Sequence, residues 1–270
     1  MTTRHLPVLG GHPASFGGTL RTDNWRVGPI ATVVMISSAL TYLTWAMFQG
    51  EHYEFGPYLS PVYAPVLWGD SPHAWFGTRP PWWPGFIAFS PAMLILPFPG
   101  SFRFTCYYYR GAYYKAFWAD PPSCAVGEPR KGYLGENSFP LILQNIHRYT
   151  LYIALVFLGL LAWDVWLALW FVNPATGQTE FGIGIGTLVL ATNVVLLGSY
   201  TFGCHALRHL VGGFKDEVSK SPMCDRAYAC STALNYKHQL FAWCSLFSVA
   251  FSDLYIRLCS MGIWSDLRLL

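Results

Sequence analysis

Between Arg26 and Glu51 the chain runs for 24 residues without a charged side chain, and between Arg79 and Arg103 for another 23. Such runs constrain the fold more than any motif does. A helix crossing the hydrocarbon core of a bilayer needs about 20 mostly apolar residues. Residues 149–171 are free of charge apart from Asp164. Residues 181–207 lie between Glu180 and Arg208, and residues 239–258 carry only Asp253 and Arg257, towards their far end. The chain of 270 residues is 53% hydrophobic, 17% aromatic and only 11% charged. A soluble surface takes roughly 25% charged residues, so a soluble globule is excluded, as are disorder, a collagen-like repeat and a small disulfide scaffold. The runs are too long and too uniform for barrel strands, which have about 10 residues of alternating polarity.

The expected fold is therefore all-α and polytopic. Five transmembrane helices are expected at about 28–48, 82–106, 148–171, 181–207 and 238–258, in a single membrane domain over 28–260. Residues 1–27 and 261–270 are tails. Pro84, Pro91, Pro97 and Pro99 interrupt the second run, which a bilayer tolerates where neighbouring helices shelter the freed carbonyls. Fourteen of the seventeen Lys and Arg fall in the N-terminal tail and in the second and fourth connections with their flanks. Arg79, Arg257 and Arg268 fall on the other side. By the positive-inside rule the N-terminus is cytoplasmic and the C-terminus outside. The net charge of +3 is this asymmetry, with no nucleic-acid footprint. No signal-peptide core precedes the first run, and no internal repeat is visible. The outer loop over 49–81 is rich in Tyr, Trp and Pro, as an interfacial segment is.

Four histidines, His147, His205, His209 and His238, sit at the cytoplasmic ends of the third, fourth and fifth spans. Cys106, Cys124, Cys204, Cys224 and Cys230 lie on the same side. A helix end fixes depth, so these residues share one layer. His205 and His209 are four apart and project from one helix face. Ionisable groups at membrane depth are functional candidates. The compartment is reducing, which disfavours structural disulfides. A b-type haem held by two of these histidines is one possible occupant, and no second pair exists at the outer face for a diheme arrangement. A Rieske-type [2Fe–2S] cluster with two Cys and two His is another, and zinc takes the same donors. Asp164 and Asp253 lie 17 and 15 residues beyond His147 and His238, about 23–26 Å deeper at a helical rise, where pairing with Arg257 is expected.

The segments Phe104-Thr-Cys-Tyr-Tyr-Tyr-Arg-Gly-Ala-Tyr-Tyr114, Pro121-Pro-Ser-Cys124 and Phe139-Pro-Leu-Ile-Leu-Gln-Asn-Ile-His-Arg-Tyr149 resemble the membrane-anchor subunit of actinobacterial succinate dehydrogenase, respiratory complex II. Cys204-His-Ala-Leu-Arg-His-Leu210, Leu234-Asn-Tyr-Lys-His238 and Asp253-Leu-Tyr255 continue the likeness, which covers roughly 102–257. The resemblance implies a five-helix, cytochrome-b-like subunit of a multi-pass complex in the bacterial plasma membrane. A flavoprotein subunit with FAD oxidises succinate, and an iron–sulfur subunit passes the electrons on to menaquinone or ubiquinone. The chain itself has no flavin fingerprint, so its expected part is electron relay and quinone reduction.

The favoured metal ligands are Cys106 and Cys124 as thiolates with His205 and His209 as imidazoles. His147, His238 and Cys204 are the alternates. Arg148, His147, Arg110, Trp118 and Tyr109 are the quinone candidates, being donors at the right depth. The competing readings are a haem b subunit of another quinone-linked oxidoreductase and a non-redox transporter. The second of these wants polar groups at the bilayer midplane and often inverted repeats, and the runs here are apolar at their centres.

Overall fold

The computed structural model describes residues 23–119, 141–213 and 215–270. They fall into two compact units, one of residues 1–38 and 105–145, the other of residues 39–104 and 146–270. The chain is mostly helical. Four helices are long and apolar enough to cross a membrane: α1 (Val27–Gln49), α5 (His147–Leu167), α6 (Ile185–Phe202) and α9 (His238–Ser260). Shorter helices are α2 (Ala92–Ile95), α3 (Pro97–Phe104), α4 (Tyr107–Tyr114), α7 (His205–Gly212) and α8 (Pro222–Asn235). Two hairpins complete the described fold, β1 (Glu54–Phe55) with β2 (Tyr58–Leu59), and β3 (Trp170–Val172) with β4 (Thr179–Phe181).

The second expected span departs from a regular helix. Residues 82–91 form turns, and the rest divides into α2 and α3. The cause is Pro91, Pro97 and Pro99, since a proline supplies no N–H to the helical ladder and crowds the preceding turn. The backbone nevertheless stays helical across Leu96, whose N–H bonds the Ala92 carbonyl at 3.0 Å and whose own carbonyl accepts from Gly100 at 3.0 Å. The segment also has two ends at two layers of the second unit. At one end Gly50, which closes α1 with φ +68°, lies against the Phe89 carbonyl, where a Cβ would come within 3.3 Å. At the other end Phe102 stacks on His147 at the start of α5. The third span stops at Leu167 rather than 171, because Trp170–Val172 pairs with Thr179–Phe181 across an Asn173 turn. The fourth runs over 185–202 rather than 181–207, bounded by Gly184 and by Gly203.

In the second unit α6 packs most extensively on α9, and α5 packs against both α3 and α6. The end of the unit near the C-terminus of α9 is fixed by polar groups inside the bundle. Asp253 and Arg257 are 0% and 2% exposed and meet at 3.3 Å, one helical turn apart. Asp253 accepts from Tyr42 Oη at 2.7 Å and from Ser60 Oγ at 2.5 Å. Arg257 donates to the Glu51 carbonyl at 2.9 Å and lies over the Trp45 ring at 5.1 Å. The pairing expected for Asp253 is thus present. Asp164 lies apart from it, with Oδ2 buried and unpartnered. The midplane is less apolar than the sequence suggests. Asn193, near the centre of α6, is 1% exposed, and neither its Oδ1 nor its Nδ2 has a protein partner.

Removing one member of a buried ion pair strands the other charge, at a cost of about 3–5 kcal/mol. Asp253→Ala is expected to destabilise the protein by about that amount in reversible denaturation from detergent micelles. Leu at both 253 and 257 is expected to recover most of the loss. A wild-type midpoint for Asp253→Ala would show that the pair carries no structural weight.

Candidate functional site

The inner ends of the helices in the second unit converge on a compact cluster, beginning where α6 stops. Gly203 has no room for a side chain, because a Cβ there would meet the Ser199 carbonyl at 2.9 Å and Leu234 at 3.1 Å. The carbonyls at a helix C-terminus lack intrahelical donors. α8 supplies them here: Ser231 Oγ donates to the Phe202 carbonyl at 2.8 Å and Asn235 Nδ2 to the Gly203 carbonyl at 2.7 Å. These bonds hold Cys204 in an extended conformation at the start of α7. Its thiol is 2% exposed and faces His147 Nε2 at 3.1 Å.

His147 opens α5. Its ring lies flat on Phe102, 4.6 Å away and 10° from parallel, and hydrogen-bonds the Phe102 backbone carbonyl. His238 opens α9 and repeats the arrangement. It is 2% exposed and lies flat on Tyr200 at 4.9 Å and 16°. Phe102 and Tyr200 then meet edge to face at 5.4 Å. Arg103 sits over Tyr200 at 5.0 Å, its Nη1 bonding the Ala242 carbonyl at 3.1 Å and its Nη2 the Ser245 hydroxyl at 2.9 Å. A carbonyl only accepts, so His147 commits one ring N–H to the backbone. The Nε2 of His147 then faces the Cys204 thiol as an acceptor. With the thiol ionised, an imidazole nitrogen and a thiolate sulfur occupy one buried place.

The expected residues divide between locations. His205 and His209 come together on the exposed face of α7, with Nε2 atoms 3.0 Å apart and rings perpendicular. The His205 imidazole is held below its ordinary pKa by partial burial, then by the nearby His209 and Arg208. Cys106 is buried at the start of α4 in the first unit, and Cys124 lies outside the described residues. Of the quinone candidates, Tyr109, Arg110 and Trp118 also belong to the first unit, where Arg110 lies over Tyr107 at 4.6 Å. Arg148 is exposed, and His147 alone joins the cluster. Phe102, Arg103 and Tyr200 escaped the sequence reading. The available signals were slight: Arg103 is the charge that ends the proline-broken run, and Tyr200 lies four residues before Cys204.

Among the described residues no three His, Cys, Asp or Glu converge as a metal site. The buried pair of His147 and Cys204, with His238 beyond the aromatic rings, suits a thiolate–imidazole centre in kind. It does not by itself complete a four-ligand set. A haem between the two imidazoles fits less well, because Phe102 and Tyr200 cover their faces and pack against each other. Above the cluster lies a cavity of about 330 Å³. Its walls come from α1, α3, α5, α6 and α9, and Phe102, Arg103 and Tyr200 line it as well.

The family model of actinobacterial succinate dehydrogenase subunit SdhC matches residues 27–262. No curated protein matches the chain. Among solved structures, a chain of the Mycobacterium smegmatis Sdh1 complex in the apo form is similar, with 38% identity, 98% of each chain covered and a TM-score of 0.83.

The caps from α8 hold Cys204 in place. Replacing Ser231 and Asn235 together by Ala leaves two buried carbonyls unbonded, at a cost of about 1–3 kcal/mol each. Alkylation of Cys204 by a maleimide, slow in the wild type, is expected to accelerate in the double variant. An unchanged rate would show that the caps do not position the thiol.

Proposed function

The chain belongs to the actinobacterial succinate dehydrogenase SdhC family, and from that membership we propose that it relays electrons to a membrane quinone through a Cys/His centre built on Cys204 and His147. It is a membrane-anchor subunit of complex II, a multi-pass protein of the bacterial plasma membrane, and its partners are the flavoprotein and iron–sulfur subunits. Succinate oxidation therefore takes place outside this chain. Five passes, with the N-terminus cytoplasmic, suit the charge asymmetry. The four long helices supply four of them. The fifth is the broken segment through α2 and α3, whose ends reach the Gly50 layer and the His147 layer.

The observation that carries the relay is the part-buried contact of Cys204 Sγ with His147 Nε2 at 3.1 Å. A soft thiolate beside an imidazole is the donor chemistry of a Rieske-type [2Fe–2S] centre. Bound there, such a cluster would supply one-electron transfer. Cys204 and His147 would hold it, and His238 is the next imidazole. The residues around them do the positioning. The Phe102 carbonyl sets which ring nitrogen of His147 carries the proton. The aromatic rings exclude water, and Arg103 places a fixed positive charge beside the site. His205 and His209, exposed and bonded to each other, fall outside this ligand nucleus.

Electron paramagnetic resonance of the reduced complex tests the reading. Cys204→Ser and His147→Ala are expected to abolish a Rieske-type signal and quinone reduction, while dye-linked succinate oxidation by the partner subunits persists. His205→Ala and His209→Ala are expected to leave the signal in place. The same measurement on Cys106→Ser and Cys124→Ser identifies the second thiolate. A signal that survives Cys204→Ser, or sharp haem b bands after dithionite, would overturn the proposal.

A further inference from the structure

The Cys204–His147 cluster leaves His205 and His209 unused, although they follow the thiol directly in the chain. Cys204 takes the extended conformation that caps α7, and α7 then packs along α8. Tyr228 of α8 receives one face of α7. Arg208 Nη2 donates to its hydroxyl at 3.0 Å, the guanidinium lies over its ring at 5.1 Å, and a Cβ on Gly212 would meet the same ring at 3.2 Å. Positions 208 and 212 are four apart and share that face. Positions 205 and 209 lie about a quarter of a turn round from it, where both side chains are exposed. The backbone beneath them is fixed, since Gly213 packs so closely on the His209 carbonyl that a Cβ there would come within 2.6 Å.

The two rings stand in place for one ion. Their Nε2 atoms are 3.0 Å apart, and the rings are perpendicular with centroids at 4.5 Å. An imidazole nitrogen binds a first-row metal at about 2.0–2.1 Å. Two nitrogens at that radius and 3.0 Å apart subtend about 90–100° at the metal. That is the cis angle of a square-planar or tetragonal ion. A tetrahedral ion would need the nitrogens to part to about 3.3–3.4 Å. In the contact as it stands, one Nε2 carries a proton and donates to the other. An ion takes a lone pair from each, so the donor ring shifts its proton to Nδ1. Both imidazoles stay neutral and no proton is lost. Arg208, the cation between them in sequence, is held on Tyr228.

We propose that His205 and His209 form a two-imidazole chelate for a divalent first-row transition ion, with Ni²⁺ and Cu²⁺ preferred to Zn²⁺ and water in the remaining positions. The geometry and the general affinity order of these ions agree on that preference. Hard Mg²⁺ and Ca²⁺ take oxygen ligands and do not suit the donor pair. Among the described residues no third His, Cys, Asp or Glu joins the two, so the ion exchanges with the solution. Its binding closes a ring over one turn of α7, the helix that Cys204 caps, and clamps that turn. The site uses neither Cys204 nor His147, so it stands or falls independently of the relay.

The test uses the intact complex, purified without a polyhistidine tag and titrated with Ni²⁺ in a calorimeter. The wild type is expected to bind one more ion per chain than the variant carrying both His205→Ala and His209→Ala. The outer partners of a metal ligand are worth about 10–100-fold in affinity, and a ligand itself at least as much. Each single variant is therefore expected to weaken that ion by about tenfold or more. Dye-linked succinate oxidation checks that every variant has assembled. The electron paramagnetic resonance of Cu²⁺ on the wild-type complex needs no variant, and is expected to show hyperfine coupling to two nitrogens. Equal Ni²⁺ uptake in the wild type and the double variant would overturn the proposal. So would a loss in only one single variant, tighter binding of Zn²⁺ than of Ni²⁺, or a Cu²⁺ spectrum with a single nitrogen.

Discussion

An ion pair buried within a membrane domain must be compensated completely, because stranding either charge in a low-dielectric interior is far costlier than forming the pair is favourable. Asp253 and Arg257 meet that demand only with help from elsewhere in the chain. Tyr42 comes from α1, Ser60 from the outer loop, and the Glu51 carbonyl from the turn after α1. One pair on α9 thereby fixes three separate pieces of chain. A second carboxylate does the same beside it: Asp266 accepts from Tyr58, Tyr255 and the Gly186 N–H. The outer end of the unit is thus a polar plate with no slack in register. His238 lies 15 residues before Asp253 on the same helix, about 22 Å away. The plate therefore also sets the depth and rotation at which His238 meets Tyr200 at the inner end.

The inner cluster has a different character. Its members are held by stacking, by backbone carbonyls and by the caps of α8. An imidazole serves as a ligand or as an acceptor through the ring nitrogen that carries no proton. The cationic group nearby, Arg103, bonds to the Ala242 carbonyl and the Ser245 hydroxyl, which fix its positive charge beside the site. This polarity suits a place where electrons are delivered.

Much of the fold was legible because hydropathy is a local property. The spans at 28–48 and 238–258 match α1 and α9 to within two residues, and those at 148–171 and 181–207 miss only where glycines and a hairpin end the helix. The places of His147 and His238 at the starts of α5 and α9 were legible too. The partners within that layer were not. The spacing of His205 and His209 signals a shared helix face, and they do share one, but spacing is silent about which way the face turns. Cys204 and His147 are 57 residues apart, and their contact is set by how α5, α6 and α8 pack. Asn193 was hidden by its neighbours, since one amide in an apolar run barely alters the mean hydropathy.

The proline-broken segment was the hardest to read, because two physical demands meet in it. A chain crossing lipid must satisfy its backbone internally, and helices do this best. A pocket needs a wall with little side-chain volume, and leucine-rich helices provide none. Pro97, Pro99 and Gly100 reconcile the two: the ladder still closes across Leu96, while the face towards the cavity carries two pyrrolidine rings and a hydrogen. The weakened helix packs against α5. It ends in Phe102 and Arg103, so the element that opens the space also brings to its floor the ring on His147 and the cation over Tyr200. A continuous apolar helix in the same place would cross the bilayer more stably, but it would fill the cavity it now borders.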